Sequence, residues 1–196
     1  MGSIQINGGV GNDTIEDRPH SGAVVSGGDG ADTITAWPNA AGQMSVQGDA
    51  DNDSIAALAG VGVIDGGADN DAITLSSVNP FAIFGSAAFG GSGNDHFVAD
   101  GPTSVSLLDG GDGSDRISTD GFAKATRMDG GVGKDRITST NMTGATPFLY
   151  PAEIAGGPGP DNINGGGVGD TIDCETENDH YKLYAGDAIV NCEVPY

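Results

Sequence analysis

The chain has 196 residues, of which 35 are Gly, and its 28 acidic side chains face seven basic ones for a formal charge of −21. Gly stands far above its usual share of about 7 %, and large apolar residues are too sparse for a thick core, so a thin-cored solenoid is favoured over a compact sandwich. Like charge at this density opposes compaction, which leaves a chain that is disordered or folded around cations, repels nucleic acid and anionic membrane, and lacks the run of ~20 apolar residues that a membrane span needs.

One nine-residue phrase, Gly-Gly-x-Gly-x-Asp-x-apolar-x, recurs from end to end. It reads GGVGNDTIE at 8–16, GGDGADTIT at 27–35, GDADNDSIA at 48–56 and GGADNDAIT at 66–74. It continues as GGSGNDHFV at 90–98, GGDGSDRIS at 110–118, GGVGKDRIT at 130–138 and GGPGPDNIN at 156–164. At the fourth place Asp51 and Asp69 replace Gly. The starts are 19, 21, 18, 24, 20, 20 and 26 residues apart. Gly-Asp pairs alone make turns, but turns do not account for the net charge.

A second regularity lies outside the phrase. Two residues before each turn stand Ile6, Val25, Val46, Ile64, Ala88, Leu108, Met128 and Ile154. After each turn stand Ile15, Ile34, Ile55, Ile73, Phe97, Ile117, Ile137 and Ile163. Apolar-in, polar-out alternation around them has the strand period of two. Each coil therefore reads strand, glycine turn, strand, far loop. The far edge carries variable segments such as Ala36-Trp37-Pro38-Asn39-Ala40 and Asn141–Pro151. One coil cannot bury its apolar face alone, and stacking completes the core.

The phrase resembles the repeat-in-toxin (RTX) calcium-binding nonapeptide over nearly the whole chain. The resemblance implies an all-β, right-handed parallel β-roll, a β-solenoid of roughly nine coils. It implies one module over 1–196, with one calcium turn per coil over 1–155, then tandem nonapeptides and a cap over 156–196. In the family each ion sits between successive turns. That role falls on the carboxylates of Asp13, Asp32, Asp53, Asp71, Asp95, Asp115, Asp135, Asp161 and Asp179. The carbonyl ligands implied are those of Gly8, Val10, Gly27, Asp29, Gly48, Ala50, Gly66, Ala68, Gly90, Ser92, Gly110, Asp112, Gly130, Val132, Gly156 and Pro158. Calcium takes about six to eight oxygen ligands, and Gly lets a tight turn aim several carbonyls at one point. About seven ions would reduce −21 to about −7, an ordinary value for a domain. Zinc prefers Cys and His, and His20, His96 and His180 show no ligand spacing.

From 156 the phrase runs in strict nines: GGPGPDNIN, GGGVGDTID, CETENDHYK, LYAGDAIVN. Asp161 and Asp179 then share one edge, and Asp170 lies on the other. Cys174 and Cys192 are 18 apart, which places them in adjacent coils. Strands lie about 4.8 Å apart and a disulfide spans Cα separations of about 4.4–6.8 Å, so a bridge stapling the last coil fits; two free thiols are the alternative. A bridge points to an oxidising, extracellular setting. Met1-Gly2-Ser3 reads as a start added for expression, so the natural polypeptide is expected to be larger.

Five of the bases, Arg116, Lys124, Arg127, Lys134 and Arg136, fall between 116 and 136. His96, Arg116 and Arg136 hold the same place after the turn Asp and should form an outward row. Two readings stand, a site for carboxylate or sulfate groups of a glycan and local relief of acids such as Asp129 and Asp135, and the second is favoured. Trp37 either packs over the strand ends or stacks on sugar, and packing is favoured. Tyr181 and Tyr184 belong with the cap. Some rolls of the family bind ice through rows of Thr. Here only Thr33/Thr35 is a Thr pair, and two Arg break the plane. No nucleophile elbow or His-Glu-x-x-His is present, so the chain carries no catalytic set. The purposes implied are a structural or adhesive module of a secreted or surface protein, or a carbohydrate-binding or stabilising appendage of a secreted enzyme. Partners beyond calcium would be an extracellular glycan or protein.

Overall fold

The computed structural model describes residues 4–18, 22–37, 44–58, 62–76, 86–100, 104–119, 124–139, 152–166, 169–175 and 177–192. Within them every regular element is a strand. Strands alternate between two parallel sheets. Gln5–Val10 opens the first sheet and Thr14–Asp17 the second; His180–Lys182 ends the second and Ala188–Val190 the first. In each sheet a strand pairs with its counterpart one coil on, which makes the fold a parallel β-solenoid. Parallel pairing of this kind buries one face along the whole stack.

The two apolar series predicted to line the interior do so. Val25, Val46, Ile64, Ala88, Leu108, Met128 and Ile154 align in the first sheet, and Ile34, Ile55, Ile73, Phe97, Ile117, Ile137 and Ile163 in the second. All are buried within one core cluster, with Ile15. Ile6, in the terminal strand, is only partly covered. A second inward row, Asp17, Ala36, Ala57, Leu75, Ala99, Thr119 and Ser139, is small at every place but Asp17 and Leu75, which keeps the core thin.

The first-sheet strands run into the glycine turns. At the second place of the turn the backbone has positive φ, as at Gly28 (113°), Gly91 (105°) and Gly111 (99°). A Cβ on Gly111 would fall onto the Gly91 carbonyl of the preceding coil. Glycine is thus required both for the conformation and for the close approach of coils. Asp51 (φ 72°) and Asp69 (φ 73°) adopt the same strained conformation at the fourth place. A third departure was not anticipated: Asp49 replaces the second Gly and takes φ 82°. Its carboxylate accepts a hydrogen bond from the Ser26 hydroxyl of the coil before. Asp tolerates this region better than most non-Gly residues.

The far edge is described only in part. Ala36 and Trp37 are placed, whereas Pro38, Asn39, Ala40 and the loop Asn141–Pro151 lie outside the described residues. Trp37 donates its backbone N–H to the Asp17 carbonyl at 3.0 Å, and the Arg18 guanidinium lies 4.7 Å from its ring centroid. The indole therefore packs against the preceding coil.

The end of the solenoid is stapled by a Cys174–Cys192 disulfide across 18 residues, with Cα atoms 4.8 Å apart. The strict nine-residue count fails at one place. Six residues, 165–170, link Asn164 to Thr171, but only five, 183–187, link Lys182 to Ala188. The pairing Thr171↔Ala188 is accordingly 17 residues apart. Asn191, at φ 52°, precedes Cys192, and beyond it the cysteines stand 18 apart.

Candidate metal centre

Each turn places its Asp at the mouth of the second-sheet strand, where the carboxylate folds inward over its own glycines. One oxygen, Oδ1, accepts the backbone N–H of the Asp one coil earlier. The ladder runs Asp13 to Asp32, Asp53, Asp71, Asp95, Asp115, Asp135, Asp161 and Asp179, each bond 2.7–2.8 Å long. All nine carboxylates proposed from sequence are thus brought onto one edge in one continuous column.

The second oxygen is the informative one. Oδ2 of Asp13, Asp32, Asp53, Asp71, Asp95, Asp115, Asp135 and Asp161 is buried and has no hydrogen-bond partner. Each lies within 2.7 Å of where a Cβ would stand on the first Gly of its own turn. From Gly8 to Gly130, the first-Gly carbonyl of the following coil reaches the same place, also within 2.7 Å. A side chain there would displace the carboxylate, which is why the first place is Gly in every copy. A main-chain carbonyl and an unpartnered carboxylate oxygen thus meet at each gap from Gly8 to Gly130. Leaving a buried carboxylate oxygen unpaired is costly.

That cost is visible in the acidities. The carboxyls of Asp71, Asp115 and Asp161 are pushed up from 3.8 to about 7, and that of Asp53 to about 6. Burial is the largest cause. The N–H bond from the neighbouring coil pulls the other way, and adjacent carboxylates such as Asp95 and Asp135 around Asp115 raise it again. Asp95 and Asp135 are raised likewise, burial first.

The residues fit calcium. From Asp13 to Asp135, each Oδ2 faces a main-chain carbonyl oxygen of the next coil, and oxygen is the preference of a hard cation. Among the described residues no three His, Cys, Asp or Glu side chains gather at one point, so most ligands would come from the main chain. Eleven of the sixteen proposed carbonyls fall into two kinds. Those of Gly27, Gly48, Gly66, Gly90, Gly110, Gly130 and Gly156 crowd the Oδ2 of the coil before. Those of Asp29, Ala50, Asp112 and Pro158 already accept an N–H from the fourth-place Gly one coil earlier, at 2.7–3.3 Å. Each of these retains one lone pair.

Sequence reading missed three features. Fifth-place side chains form an amide ladder: Asn52 Oδ1 accepts from Asn70, Asn70 Oδ1 from Asn94, and Asn94 Oδ1 from the Ser114 backbone, at 2.8–3.0 Å. The recurrence of Asn at the place before the turn Asp was the available signal. The far edge repeats the Asp arrangement near the C-terminus: Ala152 N–H donates to Asp170, and Asp170 N–H to Asp187, at 2.8 and 3.0 Å. Oδ2 of Asp170 is buried without a partner, and its carboxyl is raised by burial. Finally, second- and fourth-place carbonyls, such as those of Gly91 and Gly93, point at the glycines of the coil above.

His96, Arg116 and Arg136 are direct cross-strand partners in the second sheet, all exposed, as the spacing implied. Asp129 is paired by Arg127 at 2.7 Å on the other sheet.

Fold and site together define a parallel β-solenoid in which turns lined by carboxylate and carbonyl oxygens stack along one edge. The model of the RTX calcium-binding nonapeptide repeat matches in four copies, at residues 5–16, 24–38, 45–77 and 106–123, and these segments are similar to that repeat. The turns at 90, 130 and 156 lie outside the matched segments, yet the Asp ladder passes through them unbroken. Comparison with curated proteins and with solved structures gives no match.

Proposed function

We propose that residues 1–196 form one extracellular module that folds on binding a row of about seven calcium ions, as a structural or adhesive part of a secreted or surface protein. The observation that carries this is the column of buried, donor-less Asp Oδ2 atoms, one for each turn from Asp13 to Asp161. The ligands at each gap are that oxygen and the glycine-turn carbonyls around it. The ion supplies the positive charge that lets adjacent carboxylates stack. Without it, burial and mutual repulsion oppose every coil-to-coil contact along the acidic edge. Metal binding and folding are then one reaction.

The setting follows from affinity and redox chemistry. Extracellular calcium modules work at about 10⁻⁴–10⁻³ M, and the Cys174–Cys192 bridge persists in oxidising compartments. A chain that stays unfolded at low calcium can be exported as a thread and fold outside. Far-UV circular dichroism at pH 8, in calcium and in chelator, tests this: strand signal in calcium only is expected, and identical spectra refute coupled folding. A second reading, a glycan-binding appendage of a secreted enzyme, is favoured by the exposed cationic row.

A further inference from the structure

The outward face of the second sheet changes character along the solenoid. In the early coils its first outward row holds Thr14, Thr33, Ser54 and Ala72, none of them cationic. From His96 the same row reads His96, Arg116, Arg136, Asn162 and His180, each paired directly with the next. The second outward row beside it reads Val98, Ser118, Thr138, Asn164 and Lys182. With a strand spacing of about 4.8 Å, the five residues of the first row span about 19 Å. In a chain of charge −21, this is a continuous basic and hydrogen-bonding strip.

Relief of neighbouring acids does not account for it. Asp129 is served by Arg127 on the opposite sheet. The carboxylates of Asp115 and Asp135, although adjacent in sequence to the two Arg, turn inward to the backbone of the previous coil. Among the described residues neither Arg116 nor Arg136 makes an ion pair, and both are exposed. Like charges directly opposite each other in a sheet are destabilising, so the Arg116–Arg136 pair is a cost the fold itself does not require.

We infer that this strip binds a linear acidic glycan, laid along the solenoid axis with its carboxylate or sulfate groups against His96, Arg116, Arg136 and His180. This deepens the glycan-binding reading. It needs the roll folded but not any particular number of ions. Arg guanidinium groups suit planar or tetrahedral oxyanions. The Thr138 hydroxyl and the exposed Asn162 amide suit sugar hydroxyls, whereas the Ser118 hydroxyl already donates to the Phe97 carbonyl at 3.0 Å. The strip is narrow and flanked by an acidic molecule, which disfavours nucleic acid with its denser charge.

The test is calorimetric titration of the calcium-saturated full chain with dextran sulfate, with neutral dextran and a single-stranded oligothymidylate as comparisons. Binding of dextran sulfate alone, weakening with salt, is expected. Arg116→Gln/Arg136→Gln should bind about tenfold more weakly, the loss of two exposed charge contacts. Arg127→Gln, which removes a cation from the other sheet, should bind as the wild type does. Circular dichroism in calcium confirms that each variant is folded, so failure of the strip is distinguished from failure of the roll. Absence of binding by the folded wild type, equal loss in Arg127→Gln, or oligothymidylate binding as tight as dextran sulfate overturns the inference. Should the double variant not fold, the wild-type titrations still decide.

Discussion

Replacing Asp115 by Asn separates the two jobs of its carboxylate. The Asn carbonyl can still accept the Asp95 N–H that Oδ1 holds at 2.7 Å. What disappears is the charge and the buried, unpartnered Oδ2. In calcium-free buffer the wild-type carboxyl is raised from 3.8 to about 7, chiefly by burial and further by Asp135, Asp95 and Asp109. Ionising it in the folded state at pH 8 costs about 4 kcal/mol by that rise, or about 2 kcal/mol once solvent screening is allowed for. Asp115→Asn should therefore make the calcium-free fold more favourable by about 2 kcal/mol. In saturating calcium the sign reverses, because the variant lacks a charged ligand; a hundredfold loss of affinity at one gap removes about 2.7 kcal/mol. Urea unfolding in calcium reads the loss, and the strand signal in chelator at pH 8, small for the wild type, reads the gain, both by circular dichroism. A variant less stable than wild type in chelator and in calcium alike would refute the reasoning, since Asp115 would then serve only as a structural acceptor.

Acidity should have opposite effects with and without metal. Asp53, Asp71, Asp115 and Asp161 have folded-state values of about 6 to 7, above the unfolded 3.8. The stability each gives by being protonated is complete below about 3.8 and is lost as pH rises through about 7, so the calcium-free chain should gain strand signal between pH 8 and 5. Over the same interval calcium affinity should fall, as measured by competition with a chromophoric chelator. Gly111→Ala, whose Cβ would meet the Gly91 carbonyl at a φ of 99°, should melt well below Gly9→Ala, where φ is 106° but nothing lies within 4 Å. The second variant bears only left-handed backbone strain of about 1–2 kcal/mol, and equal melting temperatures would contradict coil-to-coil contact at that place. Removing the Cys174–Cys192 staple by Ser substitution should cost about 3 kcal/mol, localised by hydrogen exchange to residues 171–190; protection unchanged there would remove its capping role.

Much of this arrangement could be read from the chain because its physics is repetitive. A Gly that must admit a neighbour's carbonyl, an Asp that must reach across a turn and an Ile that must fill a thin core recur at coil spacing. The turns, the two inward rows and the cysteine pairing were accordingly legible. Asp49 escaped notice because its residue type is tolerated at positive φ and breaks no pattern except the glycine itself. The Asn52–Asn70–Asn94 ladder was hidden because side-chain amides bond across coils separated by 18 and 24 residues. The shortened turn at 183–187 could not be counted from the nonapeptide phrase, since it is a register adjustment made by the end of the stack. Trp37 was assigned to packing, but its partner, Arg18, is visible only once adjacent coils are superposed.

The central claim is that divalent ions lie between successive turns beside each Asp Oδ2. Diffraction from calcium-grown crystals, with anomalous differences collected at a long wavelength, addresses it directly. A file of peaks along one edge is predicted, each within coordination distance of an Oδ2 from the Asp13-to-Asp135 column and of the glycine carbonyls of the next coil. Density lacking any such peaks, with those carboxylates satisfied by water, would contradict it.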